Sequence, residues 1–407
     1  MYGAQLMEAL QACAGMDAGR IPAGQNSGAK TDPKVEFFGA GGERIRAAGC
    51  DIVVDAKDLA VVGIAEVVSH LPKILGLYRK LIRAADERRP ALAVVIDSPA
   101  FNWRVARQMR RRGIPVVYYV CPQFWAWRQG RVKLLRKYVN KALVIFPFEE
   151  EFYRDRGVDA TFVGHPLAGM PMPGIARADY AAKYELDGAK AWITLMPGSR
   201  RKEVRMNLPP ILEAAASLGA SYEFLLPVAR TLEPGFLREM IESSRMASRK
   251  SPPMRSLGGV PGFGAATAST PGSIRLVPDA LPALRHSRAA IVASGTATVE
   301  AALMETPFVM VYRVSPLTYT LGKPRVKVPY YAMVNLIADE EVVPELVQQK
   351  FTAANIVAEL AKIIPDGAAR ETMIRGLRSV REKLKRGGGT CHTADRAAEI
   401  IIKILKS

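Results

Sequence analysis

Short β-rich runs separated by helical patterns constrain this chain more than any other feature. Residues 35–38, 52–54, 92–96, 116–120, 142–145 and 161–163 form one series, and residues 192–196, 223–227, 274–277, 289–292 and 308–312 form a second. Such alternation predicts parallel strands covered by helices on both faces. At 407 residues the chain is too long for one ordinary core, so two doubly wound, Rossmann-like α/β domains are expected. The boundary falls near residues 165–174, where Pro166, Pro171 and Pro173 interrupt any regular element. Ligands of open parallel sheets bind at the carboxyl ends of the strands, so a site in a cleft between the domains is expected.

A net charge of +18 predicts attraction to nucleic acid, anionic lipid or phosphorylated substrates, and does not choose among them. The cysteines, Cys13, Cys50, Cys121 and Cys391, form no Cys-x-x-Cys pair, and no two of His70, His165, His286 and His392 stand at i, i+4. Neither a metal site nor a disulfide framework is expected, and a reducing cytosol fits. Met1 to Leu10 lacks the basic start of a signal peptide. Residues 59–82 are interrupted by Glu66, His70, Lys73, Arg79 and Lys80, so they fall short of a spanning helix. A soluble or peripheral protein is expected. Residues 14–33 and 251–272, rich in Gly, Pro, Ser and Ala, read as mobile loops.

Three strand ends carry residues suited to chemistry. Pro197-Gly198-Ser199-Arg200 follows a strand directly, where backbone amides, a hydroxyl and a guanidinium can meet a phosphate; an ordinary turn with Ser199 as N-cap explains it equally. Ser294-Gly295-Thr296 repeats the logic, with Ser294 or Thr296 capping a helix. Glu300, one turn on, can accept ribose hydroxyls or simply complement the helix dipole. Asp97, in Ile96-Asp97-Ser98-Pro99, faces the ligand crevice as a general base or else starts an Asx-turn.

Two other stretches stand out. Residues 121–131 pack Trp125, Trp127, Arg128 and Arg131 together after a buried strand, as a site wall or as a capped core cluster. Residues 61–83 set Val61, Ile64, Val67, Val68, Leu71, Ile74 and Leu75 near helical spacing beside Lys73, Arg79, Lys80 and Arg83, as a core stripe or as a surface for anionic membrane.

Taken in order, Phe38-Gly39-Ala40-Gly41-Gly42, Ile96-Asp97-Ser98-Pro99-Ala100-Phe101-Asn102, Trp125-Ala126-Trp127-Arg128, Phe146-Pro147-Phe148-Glu149, Val163-Gly164-His165-Pro166, Pro197-Gly198-Ser199-Arg200, Ser294-Gly295-Thr296 and Val334-Asn335-Leu336-Ile337 resemble the lipid-A-disaccharide synthase family. The resemblance spans nearly the whole chain, residues 251–272 apart. It implies a GT-B glycosyltransferase that joins UDP-2,3-diacylglucosamine to 2,3-diacylglucosamine 1-phosphate with inversion, using no metal and no cofactor.

By that resemblance Asp97 is the base for the acceptor 6-hydroxyl, and Arg200 neutralises the departing UDP. Gly198, Ser199, Ser294, Gly295, Thr296, Glu300 and Asn335 line the nucleotide, while Arg128 and Arg131 meet acceptor phosphate or make interdomain contacts. Val61, Ile64, Val67, Val68, Leu71, Ile74 and Leu75, with Met206, match the family's membrane-facing patch. The implied division is an acceptor and membrane-facing domain at 1–166, a UDP-sugar domain at 167–375, and a helical segment at 376–407 that packs back across the domains or is exchanged in a homodimer. The implied place is the cytoplasmic side of the inner membrane, held peripherally on its anionic surface.

The chain departs from the family pattern at its start. It enters the first helix at Gly3-Ala4 without the family's opening strand and Gly-Glu-x-Ser-Gly-Asp loop, so the first strand of the amino-terminal domain is expected to be missing. Ala100 stands where many relatives carry a second aspartate, which leaves Asp97 alone as the carboxylate. Rival expectations are an inactive relative that only binds UDP and membranes, and a UDP-sugar epimerase, which gives the apolar patch no purpose. A nucleic-acid-binding protein is the third, and the two phosphate loops count against it.

Overall fold

The computed structural model of the chain describes residues 2–18, 35–59, 71–250, 272–385 and 392–406. It divides into two compact units, Met1–Gly169 with Leu384–Ser407, and Met170–Lys383.

In the first unit β1 (Phe37–Gly41) pairs in parallel with β2 (Cys50–Asp55). A separate parallel sheet runs β3 (Ala93–Ile96), β4 (Val116–Tyr119), β5 (Lys141–Val144), β6 (Ala160–Phe162), in that order. The single doubly wound sheet expected for this half is therefore divided, because β1 and β3 are not hydrogen-bonded neighbours. Val116, Val117, Tyr118 and Tyr119 are all buried, as a strand covered on both faces must be.

Helix Pro99–Arg111 follows β3. Pro99 sits in its first turn, where a missing N–H costs nothing, and Val105, Ala106 and Met109 form its buried stripe. It ends before Gly113, whose φ of +75° is the left-handed turn that releases the chain toward β4. Helix Thr393–Lys406 packs along helix Tyr2–Ala18 of the same unit.

The second unit holds one six-stranded parallel sheet. Its strands are β7 (Ala191–Met196), β8 (Tyr222–Pro227), β9 (Ile274–Val277), β10 (Ala289–Ala293), β11 (Phe308–Tyr312) and β12 (Glu345–Val347). The order is β12-β11-β10-β7-β8-β9. The chain thus builds outward from β7 on one side, returns to β10 on the other, and reverses its direction of growth between β7 and β10. Connections leaving those two strands diverge, which opens a crevice at their carboxyl ends. Core residues Trp192, Leu195, Ile291 and Val309 are fully enclosed in this sheet, which keeps the reversal point rigid.

Candidate active site

Strand register brings the two expected phosphate loops together. Met196 on β7 pairs with Val292 on β10, so Pro197-Gly198-Ser199-Arg200 and Ser294-Gly295-Thr296 leave adjacent strands at the reversal point. Gly198 has φ +121° and Gly295 φ +133°, backbone that a side chain would strain.

In the first loop a carboxylate already occupies the anion position. Glu203 Oε2 accepts from the amides of Ser199 at 3.2 Å and Arg200 at 3.3 Å, while Oε1 pairs with Arg200 Nη1 at 2.6 Å. This is the reach-back half of a capping box, with Arg200 rather than Ser199 at the N-cap. The Arg200 side chain remains largely exposed and free to meet a second anion.

The second loop differs from expectation. Neither Ser294 nor Thr296 caps helix Thr296–Leu303. Gly295 holds the N-cap position, and Ser294 Oγ donates to Tyr331 O at 2.8 Å. Glu300 is half-buried, and burial pushes its carboxyl pKa up. Among the described residues it has no hydrogen-bond or ion-pair partner. A partly desolvated carboxylate without a partner is suited to accept hydroxyls from a ligand.

Asn335, expected at the nucleotide, is 0% exposed. Its Nδ2 donates to Val343 O at 2.9 Å and Glu345 Oε1 at 3.0 Å, and its Oδ1 accepts from the amides of Val342 and Val343 at 2.9 and 3.0 Å. With all of its capacity spent inside the protein, its side chain braces rather than touches. Glu345 continues the brace by accepting from the amides of Tyr331 and Ala332, so Ser294, Tyr331, Glu345 and Asn335 form one connected support behind the loop.

In the first unit, Asp97 and Ser98 at the end of β3 both have left-handed backbone, with φ +48° and +43°. Two consecutive non-glycine residues in that region store strain, which persists only where surroundings impose it. Asn102 imposes it. Its Nδ2 donates to Ile96 O at 2.8 Å and Asp97 O at 2.7 Å, and Tyr118 OH donates to Asp97 O at 2.7 Å. The Asp97 carboxylate is exposed and, among the described residues, accepts no hydrogen bond, so the alternative Asx-turn is not formed.

The Trp125–Arg131 stretch is part core and part surface. Trp125 is buried, with its indole N–H on Glu149, whereas Trp127 is 48% exposed with the Arg128 guanidinium carbon 3.9 Å above its ring. Partial desolvation and the neighbouring Arg131 charge lower the Arg128 pKa. Arg131 is exposed, and its amide donates to Arg128 O at 2.8 Å.

Of the expected membrane-facing residues, Val61, Ile64, Val67 and Val68 lie outside the described residues, and of Leu71 only the backbone is described. Leu75 is 42% exposed on helix Leu71–Arg88, Ile74 is half-buried, and Met206 is half-buried on helix Arg201–Leu218. No helix among the described residues is long and apolar enough to cross a membrane.

The lipid-A-disaccharide synthetase family model matches residues 25–250 and 272–401. The chain belongs to that family. The lipid-A-disaccharide synthase of Koribacter versatilis is 48% identical over 404 residues, covering 99% of this chain and 95% of that relative. Among solved structures, a calicheamicin glycosyltransferase aligns with a TM-score of 0.54 at 16% identity, covering 100% of this chain and 95% of its own. The UDP-GlcNAc 2-epimerase of Neisseria meningitidis, bound to UDP-GlcNAc, aligns at 0.52 with 10% identity, covering 92% and 100%. Both kinds of enzyme share the fold, so the fold does not choose between them. Membership of the lipid-A-disaccharide synthase family does, in favour of a glycosyltransferase.

Several supporting residues of this lipid-A-disaccharide synthase family member were given no role in the sequence. Glu203 and Glu149 each carried a usable signal, standing three residues after an N-cap. Asn102 acts only five and six residues back, whereas Tyr118 and Glu345 act at separations of 21 and 10 residues that no local spacing marks.

Proposed function

We propose that the chain transfers 2,3-diacylglucosamine from UDP-2,3-diacylglucosamine to the 6-hydroxyl of 2,3-diacylglucosamine 1-phosphate, giving the β-1′,6-linked disaccharide 1-phosphate and UDP. The observation that carries this reading is the pairing of Met196 with Val292, which sets two glycine turns beside each other at the sheet's reversal point. UDP lies against Gly198, Ser199, Gly295 and Thr296, and Glu300 accepts its ribose hydroxyls.

In the reaction the Asp97 carboxylate takes the proton of the acceptor 6-hydroxyl, and the oxygen bonds to the anomeric carbon of the donor sugar. The bond from that carbon to UDP breaks, its electron pair leaves on the diphosphate, and the configuration inverts. Arg200 stabilises the charge that develops on UDP, sharing its guanidinium between the leaving group and Glu203. The scheme uses no metal and no cofactor. Arg128 and Arg131, exposed beside Trp127, take the acceptor phosphate.

Residues 1–166 serve the acceptor and the membrane, residues 167–375 the UDP-sugar, and residues 376–407 pack back across the domains or are exchanged in a homodimer. Each acyl methylene held in a bilayer is worth about 0.8 kcal/mol, so the substrates stay there and the enzyme comes to them. The +18 net charge and exposed Leu75 support peripheral binding to the anionic cytoplasmic face of the inner membrane.

The test is mass spectrometry of products from both lipid substrates, with acceptor-free and Asp97→Ala controls. Acceptor-dependent disaccharide and UDP, lost in the variant, are expected. UDP binding without product would favour a binding-only protein instead.

A further inference from the structure

The carboxyl end of β11 borders the crevice that the two glycine turns share, and no role above uses it. Phe308, Val309, Met310 and Val311 are 0% exposed, whereas Tyr312, the last residue of the strand, is half-buried. Val311 pairs with Ala293, and its carbonyl accepts from the Ser294 amide at 2.9 Å, so Tyr312 stands level with the second glycine turn. Ligands of a parallel sheet bind at this end of its strands.

The Tyr312 ring is held in place by the protein itself. It stacks on Tyr331, with ring centroids 5.9 Å apart and planes 29° from parallel. Tyr331 is fixed in turn, because its amide donates to both Glu345 carboxylate oxygens at 3.0 and 2.9 Å and its carbonyl accepts from Ser294 Oγ. Among the described residues the Tyr312 hydroxyl has no hydrogen-bond partner.

Burial and, after it, the negative charge of Glu203 raise the pKa of Tyr312, so the phenol stays protonated. The carboxylate that it senses is the one lying on the Ser199 and Arg200 amides of the first turn. A neutral O–H donor suits a crevice that must take a diphosphate beside a resident carboxylate. It offers a hydrogen bond to the ligand without the charge that pairs Arg200 with Glu203.

We propose that the Tyr312 hydroxyl donates a hydrogen bond to the terminal phosphate of UDP, as a second donor beside Arg200. This rests on the transfer reading above and deepens it. When the bond from the anomeric carbon to the phosphate oxygen breaks, its electron pair stays on the phosphate. The phenol hydrogen bond strengthens as that charge develops, and no proton is transferred. Because the ring is already stacked and fixed, little ordering is needed when the ligand arrives.

A ring that only covers the strand end makes no use of its hydroxyl, so Tyr312→Phe separates the two roles while keeping the stack on Tyr331. Calorimetry measures UDP and UMP binding to the parent chain and to the variant. UDP affinity is expected to fall about tenfold or more, as for loss of a hydrogen bond to a charged group, with UMP affinity and Tm unchanged. In turnover, kcat is expected to fall about 10- to 100-fold. Unchanged UDP affinity in the variant would overturn the contact, with or without a fall in kcat, and so would equal losses for UDP and UMP.

The binding measurement needs neither acceptor nor turnover. Absence of disaccharide from the parent chain would therefore defeat the transfer reading while a selective loss of UDP affinity in Tyr312→Phe still upheld the phosphate contact. A parent chain that binds no UDP would overturn both.

Discussion

The indole N–H of Trp125 donates to Glu149 Oε1 at 2.8 Å, inside a unit where Glu149 is only 1% exposed. The second carboxylate oxygen accepts from the amides of Ile145 and Phe146 at 3.2 and 3.1 Å. One buried acid thus ties the Trp125–Arg131 stretch to the end of β5 and to the first turn of helix Pro147–Arg154. Phe148 completes the joint, edge-on to Trp125 with ring centroids 4.9 Å apart.

Glu149→Ala removes the acceptor and strands three buried donors. A loss on the order of 3 kcal/mol is expected, since each unsatisfied buried donor costs about 1–3 kcal/mol and the three do not add fully. For a domain of this size that lowers Tm by roughly 2–4 °C per kcal/mol. Thermal unfolding followed by tryptophan fluorescence measures it. An unchanged Tm would mean that the stretch is held by packing alone.

The same acid couples stability to pH, and His165 opposes it. Burial raises Glu149 from its ordinary 4.5 to about 7, and burial lowers His165 from 6.5 to about 4. Between pH 4.5 and 7 the folded chain binds more protons at Glu149 than the unfolded chain, so this contribution is fully present below 4.5 and is lost as pH rises through 7. For His165 the unfolded chain binds more protons, so its contribution is fully present above 6.5 and is lost as pH falls through 4. In the parent chain the two slopes largely cancel between pH 4.5 and 6.5. Urea midpoints at pH 5, 6 and 7.5 are expected to rise toward low pH in His165→Gln and to fall toward low pH in Glu149→Gln. Parallel slopes in the two variants would contradict this.

The strand pattern was legible because buried parallel strands are short apolar runs, and eleven of the runs became β1 to β11. The twelfth, Glu345–Val347, was not, since three residues beginning with a glutamate carry no periodicity. The loops after β7 and β10 were legible because glycine after a strand is a local signal. What fills them was not. Glu203 in the amides, Ser294 on Tyr331 and the enclosure of Asn335 depend on tertiary neighbours. Asn335 shows the limit most clearly, because an asparagine that touches a ligand and one that staples two segments look alike in one dimension.

Gly198→Ala tests whether the first loop needs its geometry. A Cβ there would lie 2.9 Å from Glu203 Oε2 and would sit on a backbone with φ +121°. Strain of that kind costs about 1–3 kcal/mol, and the loop is expected to relax by releasing Glu203 and rotating the Ser199 and Arg200 amides. UDP affinity, measured by calorimetry, is expected to fall about tenfold or more, with the first unit's stability unchanged. Full UDP affinity in the variant would remove this loop from the nucleotide site.

Asn102 offers the sharpest separation of positioning from chemistry. Its amide makes two of the three side-chain hydrogen bonds to carbonyls at the left-handed Asp97–Ser98 turn, yet its side chain is turned to carbonyls rather than to the crevice. In Asn102→Ala the strained pair is free to relax toward the β region, which displaces the Asp97 carboxylate without removing it. A misplacement of about 1 Å can cost on the order of 100-fold in rate. The expected result is kcat lowered roughly 10- to 100-fold with UDP affinity retained. Asp97→Asn keeps the turn and loses the base, so it is expected to lower kcat further, by about 100-fold or more, with UDP affinity likewise retained. Equal loss of kcat and of UDP affinity in Asn102→Ala would instead indicate general unfolding and assign Asn102 a purely structural role.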